Sequence, residues 1–177
     1  MGVSLKMNIT FNHSVKQLAV FLLFISISLI FGCAPKPNPL IAQDITPSGI
    51  EVSNPHNASV SLDVEGGYST QCLNYCVTTE AFSGALKTSM TSAGVFSNIV
   101  GPDEADFSLD VLIAKSLKHT MFTQWELRNA QTNAIVWSEL IKTSVDPDSD
   151  LDDKERNEKL ASQNIKQAID KMRNLSL

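Results

Sequence analysis

The chain has 177 residues, 43% of them hydrophobic and 19% charged, with a formal net charge of −5. That composition excludes a disordered or low-complexity protein and suits one globular domain. An acidic balance with no basic stripe interleaved with aromatics also argues against a nucleic-acid surface, so no nucleic-acid partner is expected.

Residues 1–32 hold Lys6 and Lys16 and no acid, and close on an apolar run of 14 residues, 18–31. A helix crossing the hydrocarbon core needs about 20 apolar residues, whereas a basic flank, a short apolar run and a small residue make a removable export signal. Ile30-Phe31-Gly32-Cys33 resembles the bacterial lipobox: an aliphatic residue, a small residue, then the obligatory cysteine. The resemblance implies cleavage behind Gly32, with Cys33 becoming the first residue, thioether-linked to diacylglycerol and acylated, usually with palmitate, on its new amino group. At about 0.8 kcal/mol per buried CH₂, two or more acyl chains anchor a protein stably. Ala34 stands where an aspartate retains enterobacterial lipoproteins in the inner membrane, so the resemblance implies the periplasmic face of the outer membrane. Without Lys6 and Lys16, twelve basic residues face nineteen acidic ones, a net of −7.

Five of the seven prolines fall in 34–57. Proline fixes φ and lacks an N–H, so 33–57 is expected to be an extended tether and 58–177 the folded domain. Val60, Leu62 and Val64 alternate with polar neighbours, a strand over 59–67. Phe82, Ala85, Leu86, Met90 and Ala93 recur at helical spacing, with Thr78 or Thr79 as N-cap and Gly94 at the C-terminal end. Residues 95–100, leading to the Gly101-Pro102 turn, are a further candidate for a short strand, apart from the four strands of the expected sheet. Strands follow at 105–117, 120–129 and 134–145, joined by short polar connections that favour antiparallel neighbours. Ala161, Ile165, Ala168, Ile169 and Met172 make one narrow stripe, so a final helix begins after the acid-rich 146–153. The expected fold class is α+β, with two helices on one face of an antiparallel sheet of about four strands in the order β-α-β-β-β-α.

Cys72 and Cys76 are four apart, which in a helix puts their Cα atoms roughly 6 Å from one another, within disulfide range. An exported compartment then makes a Cys72–Cys76 disulfide the expected state. Its loop is tiny, so it contributes only about 1–2 kcal/mol. Three intervening residues and no neighbouring cation argue against redox catalysis. No metal or other cofactor is expected: the acidic run lacks the glycine and glutamate of a calcium loop, and reads as helix capping and a solvated turn. His56 in the tether and His119 at a hairpin read as solvated surface groups. No nucleophile elbow, zinc-protease pair or phosphate loop is present, so no catalytic residue is expected. Trp125 and Trp137 on neighbouring strands read as core in preference to a ligand surface.

A wider resemblance rests on three stretches, "F..AL..SM..AGVF" from Phe82, "ADFSLDVLIAKS" from Ala105, and "FTQWELRNAQTNAIVWSELI" from Phe122. They resemble small bacterial envelope lipoproteins, a set spanning YajG-like lipoproteins, auxiliary lipoproteins of ABC transport systems and domains like the N-terminal part of TolB. The motifs are structural, so the resemblance implies fold more than function. The function expected is a non-enzymatic, lipid-anchored accessory or binding domain of an envelope complex, with the membrane as one partner through Cys33 and an envelope protein as another. The alternative is a lipoprotein binding lipid or another apolar ligand in an envelope transport route.

Overall fold

Alternation and helical stripe take the shape the sequence suggests, but the strand pairing differs. The structure, a computed structural model, describes residues 38–50, 56–67 and 75–177. A five-stranded sheet is built from β2 (His56–Gly66), β4 (Phe96–Ile99), β5 (Phe107–Leu117), β6 (Thr120–Asn129) and β7 (Ile135–Ser144), in the order β4-β2-β5-β6-β7. Two helices, α2 (Thr79–Ala93) and α3 (Asp153–Met172), pack on one face. A parallel pair of two-residue strands, β1 (Asn38–Pro39) and β3 (Tyr75–Cys76), and the single turn α1 (Ala42–Ile45) complete the described elements.

The α+β class holds, with corrections to its details: the sheet has five strands and is mixed, the single turn α1 makes three helices in place of two, and the element order is longer than the expected β-α-β-β-β-α. β2 runs parallel to both β4 and β5, while β5, β6 and β7 are antiparallel. The helix between β2 and β4 returns the chain to the starting end of β2, which obliges the next strand to run parallel. Between β4 and β5 the chain crosses β2 through a 3₁₀ turn, Pro102–Glu104, so that Val60 pairs with Ile99 on one side and Phe107 on the other. Asp106 fastens that crossing, its carboxylate accepting from the Ser59 N–H and hydroxyl, both at 2.8 Å. Those bonds hold the Asp106 pKa below the ordinary carboxylate value.

Helix termini follow local chemistry. The Thr78 hydroxyl accepts from the Ala81 N–H at 3.2 Å, and Gly94 takes the left-handed conformation at φ 59° that ends α2. Asp152 and Glu155 form a reciprocal capping box that starts α3, the capping role expected of the acidic run. Gly66 ends β2 at φ 85°, where an added Cβ would sit 2.5 Å from the Ile113 carbonyl oxygen. Gly66→Ala therefore meets both left-handed strain and backbone overlap; it should lower unfolding free energy by about 2 kcal/mol or more. Urea unfolding checks this, and a change under about 0.5 kcal/mol would contradict it.

The tether expected over 33–57 is corrected where the structure describes it. Leu40 (2% exposed) and Ile45 (0%) are part of the core, and the Leu40 N–H donates to the Cys76 carbonyl at 2.9 Å. Residues 38–50 thus belong to the folded unit. His56 is likewise not a tether group: it opens β2, half-buried, its ring Nε2 2.9 Å from the Met172 carbonyl at the end of α3. His119 is half-buried too, in the β5–β6 turn, and its carbonyl accepts from the Val145 N–H.

Between the layers, Phe82, Leu86, Leu109, Trp125, Leu127 and Ile165 are fully buried. A polar thread crosses this core: the Trp125 indole N–H donates to the Thr123 hydroxyl at 2.6 Å, and that hydroxyl donates to the Asn164 side-chain oxygen at 2.6 Å. Trp125 is thus core as expected, while Trp137 is only half-buried.

Candidate docking face

Strand alternation sends every second side chain away from the helices, and the register sorts these into rows across the sheet. One row is acidic: Asp63 pairs with Asp110, and Asp110 with Glu126. Two residues further along the strands lies Leu112, flanked by the exposed Glu65 of β2 on one side and by Gln124 on the other, and Gln124 is opposite Leu140. The next row holds Lys115, Phe122 and Lys142. Leu112 and Leu140 are 45% and 56% exposed, with Ile135 and Val136 at 52% and 40% near the β6–β7 end. Two exposed leucines on either side of Gln124 give the open side of the sheet an apolar element that a docking partner would bury.

The flanking charges are incompletely neutralised. Arg128 pairs with Glu126, and its Nε lies 3.6 Å from Asp110. Lys142 sits over the Phe122 ring, 5.8 Å from its centroid. Partial burial pushes the Asp110 pKa up; Arg128 opposes this, and the neighbouring carboxylates of Asp63, Glu126 and Glu65 add to it. Like charges directly across strands are destabilising. A carboxyl whose folded pKa is raised subtracts stability above that pKa, and the penalty vanishes as pH falls below the unfolded value near 4. Asp110→Asn should therefore raise the melting temperature slightly at pH 7, with the gain fading toward pH 4. Melting curves at both pH values test this; a lower melting temperature at pH 7 would mean the Arg128 pair outweighs the repulsion.

The expected site residues fall unevenly. Cys33 and Cys72 lie outside the described residues. Cys76 is disulfide-bonded and lies in β3, so the helical geometry assumed around it does not extend to Cys76. Among the described residues no group of three or more His, Cys, Asp or Glu side chains is placed to hold a metal. No helix among them is long and apolar enough to cross a membrane. An open cavity of about 360 Å³ lies at the start of β2, bordered by His56, Asn57, Asp106, Asn129 and Gln131 together with the apolar Ala58, Phe107 and Leu177. Its lining is more polar than apolar and open to solvent, which suits an apolar ligand poorly.

Sequence reading misses the face as a unit and the buried Asn164. Asn164 carries a signal: three residues after Ala161 and four before Ala168, it falls on the apolar stripe of α3. The rows carry half a signal, because alternation assigns Asp110 and Leu112 to the outer side, while only cross-strand register aligns them with Glu126 and Leu140.

No family profile matches the sequence, and no curated protein matches it. Solved structures do share its shape. A Xanthomonas campestris protein of family DUF330 superposes with a TM-score of 0.52 at 10% identity, over 75% of this chain and 90% of that one. The PelC dodecamer from Paraburkholderia phytofirmans gives 0.49 at 9% identity, over 74% and 96%. A Caulobacter crescentus CB15 protein assigned as a lipoprotein gives 0.41 at 10%, over 64% and 87%. The likeness to the Xanthomonas protein is one of fold: this chain has the α+β architecture of that bacterial DUF330 structure.

Proposed function

We propose that this protein is a non-enzymatic, lipid-anchored accessory domain of a bacterial envelope complex, held at the periplasmic face of the outer membrane through Cys33. The observation that carries the docking half is the sheet face that no described element covers, on which the exposed Leu112 and Leu140 lie between an acidic and a basic row. A protein partner that buries the leucines and matches the charged rows would gain both desolvation and register. The wider sequence resemblance supports placing it among the small envelope lipoproteins, auxiliary subunits of ABC transport systems included.

The corrected boundary sharpens this reading. Leu40 is already in the core, so only seven residues of chain run from Cys33 to the first core residue. Fully extended that length reaches about 25 Å. A lipidated Cys33 would then keep the domain against its own membrane, and the partner must be met there. The reading as a carrier of apolar ligand between sheet and helices gains less support, since Phe82, Leu109 and Trp125 fill that space.

A photo-crosslinking residue in place of Gln124, in the full chain in cells, should give a discrete adduct with an envelope protein. The pair Leu112→Glu and Leu140→Glu should reduce that adduct at least tenfold while the melting temperature stays within a few degrees. No adduct from position 124, or adducts indifferent to the two substitutions, would reject the docking reading.

A further inference from the structure

An interface between two identical chains related by a two-fold axis must be complementary to itself. Most charged faces fail that condition, because a patch of one sign meets its own sign. Here the acidic row and the basic row lie on opposite sides of the leucine row, each two residues away on β6, or about 7 Å along the strands. A two-fold axis parallel to the strands would stack acid on acid. An axis running across the strands, along the leucine row, does the reverse for the flanking rows: it keeps each strand over its counterpart and exchanges those rows, leaving Glu65, exposed at the β2 end of the axis row, as the one carboxylate set beside its own copy.

We propose that the helix-free face binds the same face of a second copy, about a two-fold axis running across the strands through Leu112, Gln124 and Leu140. The inference rests on the docking reading above and names its partner. In this arrangement Leu112 meets the partner's Leu112, Leu140 meets the partner's Leu140, and Asp110 lies opposite the partner's Lys115. Glu126 falls between the partner's Lys115 and the partner's Lys142. The acidic row thus receives the cations it lacks within its own chain, where, among the described residues, Arg128 alone serves Asp110 and Glu126.

The area sets the strength. Four strands at about 4.8 Å spacing and three rows with their flanks give a face of about 15 by 20 Å, so a pair covers on the order of 600 Å² in projection. That is the range of transient pairs rather than obligate dimers. A short leash on a shared membrane supplies what the area does not, by confining copies to one thin layer at raised effective concentration.

The test uses the full chain in isolated cell membranes with a short bis-maleimide as probe. Leu112→Cys should be bridged to itself to give a homodimer, while Lys87→Cys, exposed on α2 in the other layer, should not. Lys115→Glu placed in the Leu112→Cys chain should cut the homodimer at least fivefold, because a carboxylate then faces the partner's Asp110. Adding Asp110→Lys should restore it, because the swapped charges again oppose one another. Only a self-complementary interface gives that rescue. No homodimer above the Lys87→Cys level, or no rescue by the swap, overturns the proposal. A bridge from the thiol introduced at position 112 to a different protein also overturns it, while leaving the docking face standing.

Discussion

Replacing Cys33 by Ala should remove the protein from the membrane's processed pool completely. Without the thiol there is no atom to carry diacylglycerol, and the cleavage that the lipobox directs depends on that modification. The expected product is an uncleaved precursor, or soluble periplasmic protein if another peptidase acts; neither gives a mature, membrane-bound form. Fractionation and immunoblotting read this directly. A cleaved Cys33→Ala protein that still sediments with membranes and resists high salt would exclude lipid anchoring, since two acyl chains and not protein contacts are asked to hold it.

Trp125→Ala should be the most damaging single change in the described core, costing about 3–5 kcal/mol of unfolding free energy. Its indole is fully buried, stands 6.1 Å from the Phe82 ring, and donates into the thread that Thr123 carries on to Asn164. Truncation opens a large cavity and leaves the Thr123 hydroxyl without its indole donor. Trp137→Ala offers the internal comparison: half-buried on the edge strand β7, it should cost under about 2 kcal/mol. Equal losses at the two positions would mean that the Trp125 thread adds nothing beyond ordinary burial.

Much of this architecture is legible in the order of residues, and the misses have physical causes. The strand at Thr120–Asn129 and the helix at Thr79–Ala93 are legible because period, cap and terminating glycine agree there. Strand direction is not, because alternation reports which side a residue faces and carries no information on its neighbour; the intervening helix α2 holds the missing fact. The docked segment around Asn38–Ile45 resembles tether in sequence because its two anchors, Leu40 and Ile45, are too few to show a period amid the prolines. Its burial comes from β3 and the helices, elements distant in sequence. The face reads as polar-out with exceptions, and those exceptions become a row only when β5, β6 and β7 are set in register.

The relocated boundary would change what the proposed anchor does. With the proposed lipid on Cys33, a 25-residue tether over 33–57 would let the domain search a wide volume, whereas seven residues from Cys33 to the buried Leu40 would hold it close to the membrane plane and raise the frequency of encounters with other copies. Both the docking reading and the two-fold pair draw on that geometry, and both begin at Cys33.

The most direct test is the intact mass of the protein extracted from membranes with detergent, with fragmentation of its first residues. The expected species is a chain that begins at Cys33 and carries diacylglycerol on the Cys33 sulfur. A chain retaining residues 1–32, or one beginning at another residue with Cys33 unmodified, would contradict lipid anchoring at this position.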